Sequence, residues 1–291
     1  MALILENETL CAKISEHGAE LTSLYNKKNG IEYIWQGDPA FWGRHSPVLF
    51  PIVGRLKNDT YEFENKTYQL SQHGFARDLD FTVTKATDTT ATFELLASDE
   101  TKAKYPFDFK LVLTYTLTEN SISFNYTVFD LGDRPMYYGL GAHPAFSTKL
   151  LPDDAYTDYQ VELAPELKRK LIPLRANLLD LENTSASKTS LLPVTHALFK
   201  DDALVYELEE KPLKATLRNT KHGHGVTLTV ADAKAFGIWS CYPAQGEFVC
   251  LEPWWAVADI YQTTGKFKDK YLIERLDGHQ SKNYTFAITV F

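Results

Sequence analysis

Cysteine is scarce, with only Cys11, Cys241 and Cys250 in a chain of 291 residues. So sparse and odd a count builds no disulfide framework. Cys241 and Cys250 each sit in an apolar stretch and read as small core residues. Long hydrophobic runs are absent; nothing approaches the ~20 apolar residues of a membrane span. The N-terminal MALILENETL has no basic leader ahead of its short apolar run. Positive charge is in deficit, 30 Lys and Arg against 38 Asp and Glu, for a formal net charge of -8. An acidic surface repels phosphate backbones and argues against nucleic acid as a partner. A small phosphorylated ligand stays compatible, because a pocket can be locally basic. The expectation is a reduced, soluble, cytoplasmic protein with no membrane partner.

Helical periodicity is rare as well. Ser98 to Tyr105 predicts about two turns, stopped before Pro106. What the chain has instead is alternation. Leu111, Leu113, Tyr115 and Leu117 share one face of a run, against Lys110, Thr114 and Thr116. After Glu119-Asn120, Ile122, Phe124, Tyr126 and Val128 repeat the pattern, which makes a hairpin. Tyr61 to Phe63 and Tyr68 to Leu70 read as a second hairpin. Val226 to Val230 alternates, and Tyr284, Phe286, Ile288 and Val290 share a face at the C-terminal end. Many strands without a βαβ rhythm predict a large antiparallel β-sandwich or barrel. No repeat or long linker divides residues 1–291. The polar stretch Asn183 to Ser190 reads as a loop inside one domain.

Four segments depart from strand grammar. Ser46 to Arg55 is apolar, flanked by prolines, and ends in Gly54-Arg55; an arginine there commonly snorkels or forms a structural ion pair. In Gln72 to Asp78, His73 by itself reads first as a hydrogen-bonded loop histidine; the alternative is that Gly74 permits a close backbone approach holding it against a ligand. In Tyr138 to Phe146, small residues surround His143, and Pro144 biases it toward an extended backbone. In Phe248 to Trp255, Glu252 lies inside an apolar, aromatic run. A carboxylate there is costly to bury without a partner, and burial raises its pKa toward the range of a general base. Trp254 and Trp255 adjoin it, and flat aromatic faces suit the C–H faces of sugars. His222-Gly223-His224 reads as an exposed turn. His73, His143 and Glu252 lack a metal-ligand spacing, so no metal and no organic cofactor is expected.

Taken together, Gly54-Arg55, His73-Gly74, His143-Pro144, Phe199 to Leu204 and Glu252-Pro253-Trp254 resemble, in order, the motifs of the aldose 1-epimerase family. Any one is common; five in order are specific. The resemblance implies the galactose mutarotase-like supersandwich, an all-β fold, and a cofactor-free isomerase that interconverts the α and β anomers of a hexose. It assigns Glu252 as general base on the C1 hydroxyl and His143 as general acid on the ring oxygen. It assigns Arg55, His73 and Asp202 to holding the sugar, with Asp201 the alternative to Asp202. Strand alternation over Asp202, Leu204 and Tyr206 favours Asp202 for the cleft side. Gly54 replaces the Asn of the familiar Asn-Arg pair, and His73-Gly74-Phe75 replaces His-Gly-Gly. The second departure resembles the LacX-like branch. Two alternatives stand beside the mutarotase. One is a hexose-6-phosphate 1-epimerase using Arg44, Arg77 and Lys57; the other is a non-catalytic sugar-binding module. The partner implied is a monosaccharide, and the assembly a monomer or homodimer.

Overall fold

The alternation becomes antiparallel ladders in the computed structural model, which describes residues 2–291. Phe109–Thr118 pairs with Ser121–Asp130 in a register that sets Leu113 opposite Tyr126 and Tyr115 opposite Phe124. Ser281–Val290 then pairs with Ser121–Asp130, placing Phe286 against Phe124 with rings stacked at 4.2 Å. In each strand the apolar residues are buried and the alternate residues face outward. The period-2 pattern therefore fixes register, because a one-residue slip would put the whole apolar set in water. Emptying one such site, as in Phe124→Ala, should cost roughly 3–5 kcal/mol.

These strands centre a nine-stranded sheet that runs from Leu191–Pro193 at one edge to Thr82–Ala86 at the other. An eight-stranded sheet includes Leu204–Glu207, Ala235–Trp239, Phe248–Trp254, Gly141–Ala142 and Val48–Leu49. Leu111, Tyr126 and Phe286 from the first sheet and Phe236, Ile238, Val249 and Leu251 from the second join in one core. A four-stranded sheet over Ala2 to Glu32 adds Leu10, Ile14, Leu21 and Leu24 to it. The architecture is the expected antiparallel β-sandwich. The one α-helix among the described residues, Asp99–Lys104, has Ser98 as its N-cap.

The sequence reading missed in one segment. Ser185–Ser187, inside the stretch expected to be a loop, pairs with Arg169 to Leu171 as an edge strand. An edge needs only backbone groups to pair, so polar side chains conceal it from a hydrophobic pattern. His222 and His224 do lie in a turn, but His222 is half-buried, with Nε2 2.9 Å from Asp154.

Candidate active site

Strands and loops converge on a cavity of about 460 Å³. One wall is the Phe248–Trp254 strand, buried at every residue. Alternation turns Val249 and Leu251 into the main core and Phe248, Cys250, Glu252 and Trp254 to the other face. Glu252 and Trp254 line the cavity. The indole of Trp254 fits because both neighbouring strands offer glycine. A Cβ on Gly237 would lie 2.6 Å from it, and one on Gly141 2.9 Å. Trp255 is buried in the core and donates its indole N–H to Asp232. The two tryptophans after Glu252 therefore divide, and only the first reaches the cavity.

His143 sits between the strands Gly141–Ala142 and Ala145–Ser147 and donates its N–H to the Pro47 carbonyl at 3.1 Å. Its Nε2 lies 3.2 Å from Glu252 Oε2, with both side chains buried. Trp42 stacks on the imidazole at 4.9 Å and Trp239 meets it edge-on at 5.6 Å. Burial in this aromatic surround holds His143 down at about 3, and the charges of Arg77 and Arg44 act in the same direction. Burial pushes the Glu252 carboxyl well above the usual carboxylate range, and Asp202 adds to the rise. The Trp254 indole offsets part of it without forming a well-aligned hydrogen bond. Both shifts favour the neutral forms, an uncharged acid beside an uncharged imidazole.

His73 occupies a backbone conformation rare for side-chain-bearing residues, φ 67, followed by Gly74 at φ 72. The tight approach that Gly74 permits is to protein. A Cβ there would lie 2.3 Å from the Phe50 carbonyl oxygen. His73 N–H donates to the Gly54 carbonyl at 2.8 Å, and Gly54 N–H donates to His73 Nδ1 at 3.1 Å. This reciprocal pair joins the two motif loops. It also makes Nδ1 the acceptor, leaving Nε2–H as donor. Burial holds His73 well below the ordinary histidine value, as do His143 and the nearby arginines.

Arg55 and Asp202 also line the cavity, whereas the Asp201 side chain is 88 % exposed beside Lys200. Strand alternation is not what turns Asp202 inward. The strand starts at Leu204, and Asp202 stands before it at φ 78, its carboxylate accepting from the Ala203 N–H. Lys57 is not in the lining; its Nζ donates to the Tyr261 carbonyl. Arg44 and Arg77 are in it, and they share one carboxylate. Arg44 donates to Asp78 Oδ1 at 2.7 Å, and Arg77 Nε is 3.8 Å from Oδ2. Burial holds the Arg77 guanidinium down to about 10, and Arg44 pushes the same way. Trp42 and Trp239 complete the lining; neither was singled out by the sequence, because each reaches the site only through the tertiary fold.

Arg55 Nε, Arg77 Nε, His143 Nδ1, Glu252 Oε2 and Trp254 Nε1 are buried without a hydrogen-bond partner. Buried polar groups are ordinarily satisfied. Three of the five lie beside an ion-pairing group, Arg55 Nε 3.5 Å from Asp59 Oδ1, Arg77 Nε 3.8 Å from Asp78 Oδ2 and Glu252 Oε2 3.2 Å from His143 Nε2. Donor atoms of His143, Cys250 and Glu252 lie within 4.8 Å of one another, the spacing of a ligand set. Burial pushes the Cys250 thiol well up, as it does the Glu252 carboxyl, so a cation would have to displace both protons.

Residues 1–261 match the family model described as aldose 1-epimerase. The chain belongs to the aldose 1-epimerase family. The chromosomal LacX protein of Lactococcus lactis subsp. lactis is 30% identical over 301 residues, covering 100% of this chain and 99% of its own. A galactose mutarotase related enzyme from Lactobacillus acidophilus is 40% identical, with a TM-score of 0.98 and coverage of 100% and 97%. A galactose mutarotase-like protein from Lactobacillus casei is 33% identical with a TM-score of 0.91, both chains covered fully. The galactose mutarotase-like fold is thus shared throughout, and membership in the aldose 1-epimerase family implies a sugar substrate. No helix among the described residues is long and apolar enough to cross a membrane.

Proposed function

We propose that this chain is a mutarotase, interconverting the α and β anomers of a hexose through ring opening. The observation that carries the reading is the buried His143–Glu252 pair, 3.2 Å apart, in the wall of a cavity that Arg55, His73 and Asp202 also line. Ring opening needs a base at the C1 hydroxyl and an acid at the ring oxygen. Moving the proton that the pair already holds from Glu252 to His143 creates both at once. Sugar hydroxyls entering the cavity favour that charge-separated form by solvating it. Glu252 then takes the C1 hydroxyl proton as the C1–ring-oxygen bond breaks, and His143 gives its proton to the departing oxygen. The aldehyde forms, the C1–C2 bond rotates, and the reverse transfers close the ring as the other anomer. Protons and electrons balance without a cofactor. Arg55, His73 Nε2–H and Asp202 hold the hydroxyls, which fixes C1 against the pair.

A second reading has a specific observation behind it. Arg44 and Arg77 both line the cavity, with the Asp78 carboxylate beside them and Glu20 also acting on Arg77, and two guanidinium groups on one wall suit an anionic group such as a sugar phosphate. A sugar-binding module without turnover would gain nothing from a buried, neutralised acid–base pair, which disfavours that alternative. Polarimetry on α-glucose, α-galactose and glucose 6-phosphate tests these readings. Acceleration above the spontaneous rate is expected for at least one. Binding with no acceleration on any would overturn the catalytic reading.

A further inference from the structure

Lys270 and Asp259 form an ion pair in the interior, Nζ to Oδ1 3.1 Å, with side chains only 2% and 4% exposed. Desolvation offsets most of the attraction in such a pair, so apolar residues of similar volume would serve stability as well. Asp259's remaining contacts go to the cavity wall and to the loop that continues from it. Its Oδ2 accepts from the Lys57 N–H at 3.0 Å. Its N–H donates to the Arg55 carbonyl at 2.9 Å, and its carbonyl accepts from the Leu179 N–H at 2.8 Å. Arg55, Leu179 and the adjoining Ala258 all line the cavity. Gly54, at φ 67, leaves no space on that side, since a Cβ would lie 2.5 Å from Ala258 Cβ. Tyr261 extends the clasp, its N–H donating to the Leu179 carbonyl and its carbonyl accepting from Lys57 Nζ.

We propose that Asp259 is a positioning residue for Arg55, with Lys270 as the counter-charge that lets a carboxylate stand in the interior and clamp the loop over Gly54 to Lys57. The backbone bonds around Asp259 would survive any side chain. The Oδ2 bond to Lys57 is the one that needs an oxygen at that place. Lys57 follows Arg55 by two residues, so this bond fixes the exit of the loop as the Arg55 carbonyl bond fixes its middle. The inference rests on the reading of Arg55 as a sugar-holding residue.

Two charge-free double variants separate the clamp from mere stability. Lys270→Met with Asp259→Asn keeps an acceptor for the Lys57 N–H. Lys270→Met with Asp259→Leu removes it while leaving an apolar pair that the interior tolerates. Hydrogen–deuterium exchange read by mass spectrometry should find residues 54–60 and 177–181 exchanging at least about 10-fold faster in the Leu variant than in the Asn variant. The hairpin Phe109 to Asp130 should be equally protected in both, which checks the fold. KM for the turned-over hexose should rise about 10-fold in the Leu variant, with kcat within ~3-fold, and stay near native in the Asn variant. Equal protection of the two segments in both variants overturns the clamp. Unequal protection with equal KM overturns its role in placing Arg55. If the native protein accelerates mutarotation of no hexose, the proposed reaction fails while the exchange comparison still decides the clamp.

Discussion

Replacing Glu252 by Gln, His143 by Asn, and both together should give three proteins with nearly the same residual rate. General acid and general base groups typically contribute ~10²–10⁴-fold each, so two independent groups would make the double variant slower by the product, roughly 10⁴–10⁸. The site argues against independence. The two side chains are 3.2 Å apart, and burial drives both toward their neutral forms. Without Glu252, His143 has lost the neighbour that supplies its proton, and burial holding it at about 3 leaves it without one at neutral pH. Without His143, the Glu252 carboxyl has nowhere to pass its proton and cannot accept one from the sugar. Either single change therefore removes both functions, and the double should match the singles within ~3-fold, the non-additivity of groups that act as a unit. The loss should fall on kcat, while KM for Glu252→Gln moves little, because the amide keeps the cavity's shape. Polarimetry, or anomer-resolved NMR, with the spontaneous rate subtracted, gives these constants. A double variant slower by the product of the singles would refute the shared proton. Near-native kcat in Glu252→Gln would refute the assignment of the base.

The pH profile of kcat/KM should follow from the same pair: the acid limb belongs to a second proton entering at His143 and should appear only as pH approaches about 3. The alkaline limb should come from loss of the shared proton through the raised Glu252 carboxyl; an acid limb near the ordinary histidine value that disappears in His143→Asn would contradict this. Asp202→Asn should raise KM more than Asp201→Asn, because only Asp202 lines the cavity while Asp201 is 88 % exposed. Steady-state kinetics of the two variants decide it, and a larger rise for Asp201→Asn would reverse the assignment. Gly74→Ala should lower the thermal midpoint sharply, since a left-handed φ of 72 costs a side-chain-bearing residue roughly 1–2 kcal/mol and its Cβ would lie 2.3 Å from the Phe50 oxygen. A native midpoint in a melting curve would mean that the loop can yield there.

The sandwich was legible because a half-buried strand must alternate. Leu111, Leu113, Tyr115 and Leu117 could face the core only in one register, and the sequence states that register directly. The edge strand Ser185–Ser187 was invisible because backbone pairing imposes no side-chain pattern. Glu252 stood out for a related reason, since a carboxylate amid buried apolar residues violates a rule that only a partner or a function can offset. Trp42 and Trp239 violate no rule, being ordinary aromatics whose stacking on His143 comes entirely from chain segments brought together by the fold. Asp202 marks the boundary between the two cases. Its neighbour Asp201 has the same chemistry, and alternation pointed to Asp202 through a strand that in fact begins two residues later, at Leu204. What turns Asp202 toward the cavity is a left-handed residue ahead of the strand, φ 78, with its own N–H bound to the Phe199 carbonyl. Asp tolerates that conformation better than most residues. The relevant signal was therefore turn chemistry at Phe199 to Asp202, and pattern reading of the strand beyond it reached the cavity by a route the chain does not take.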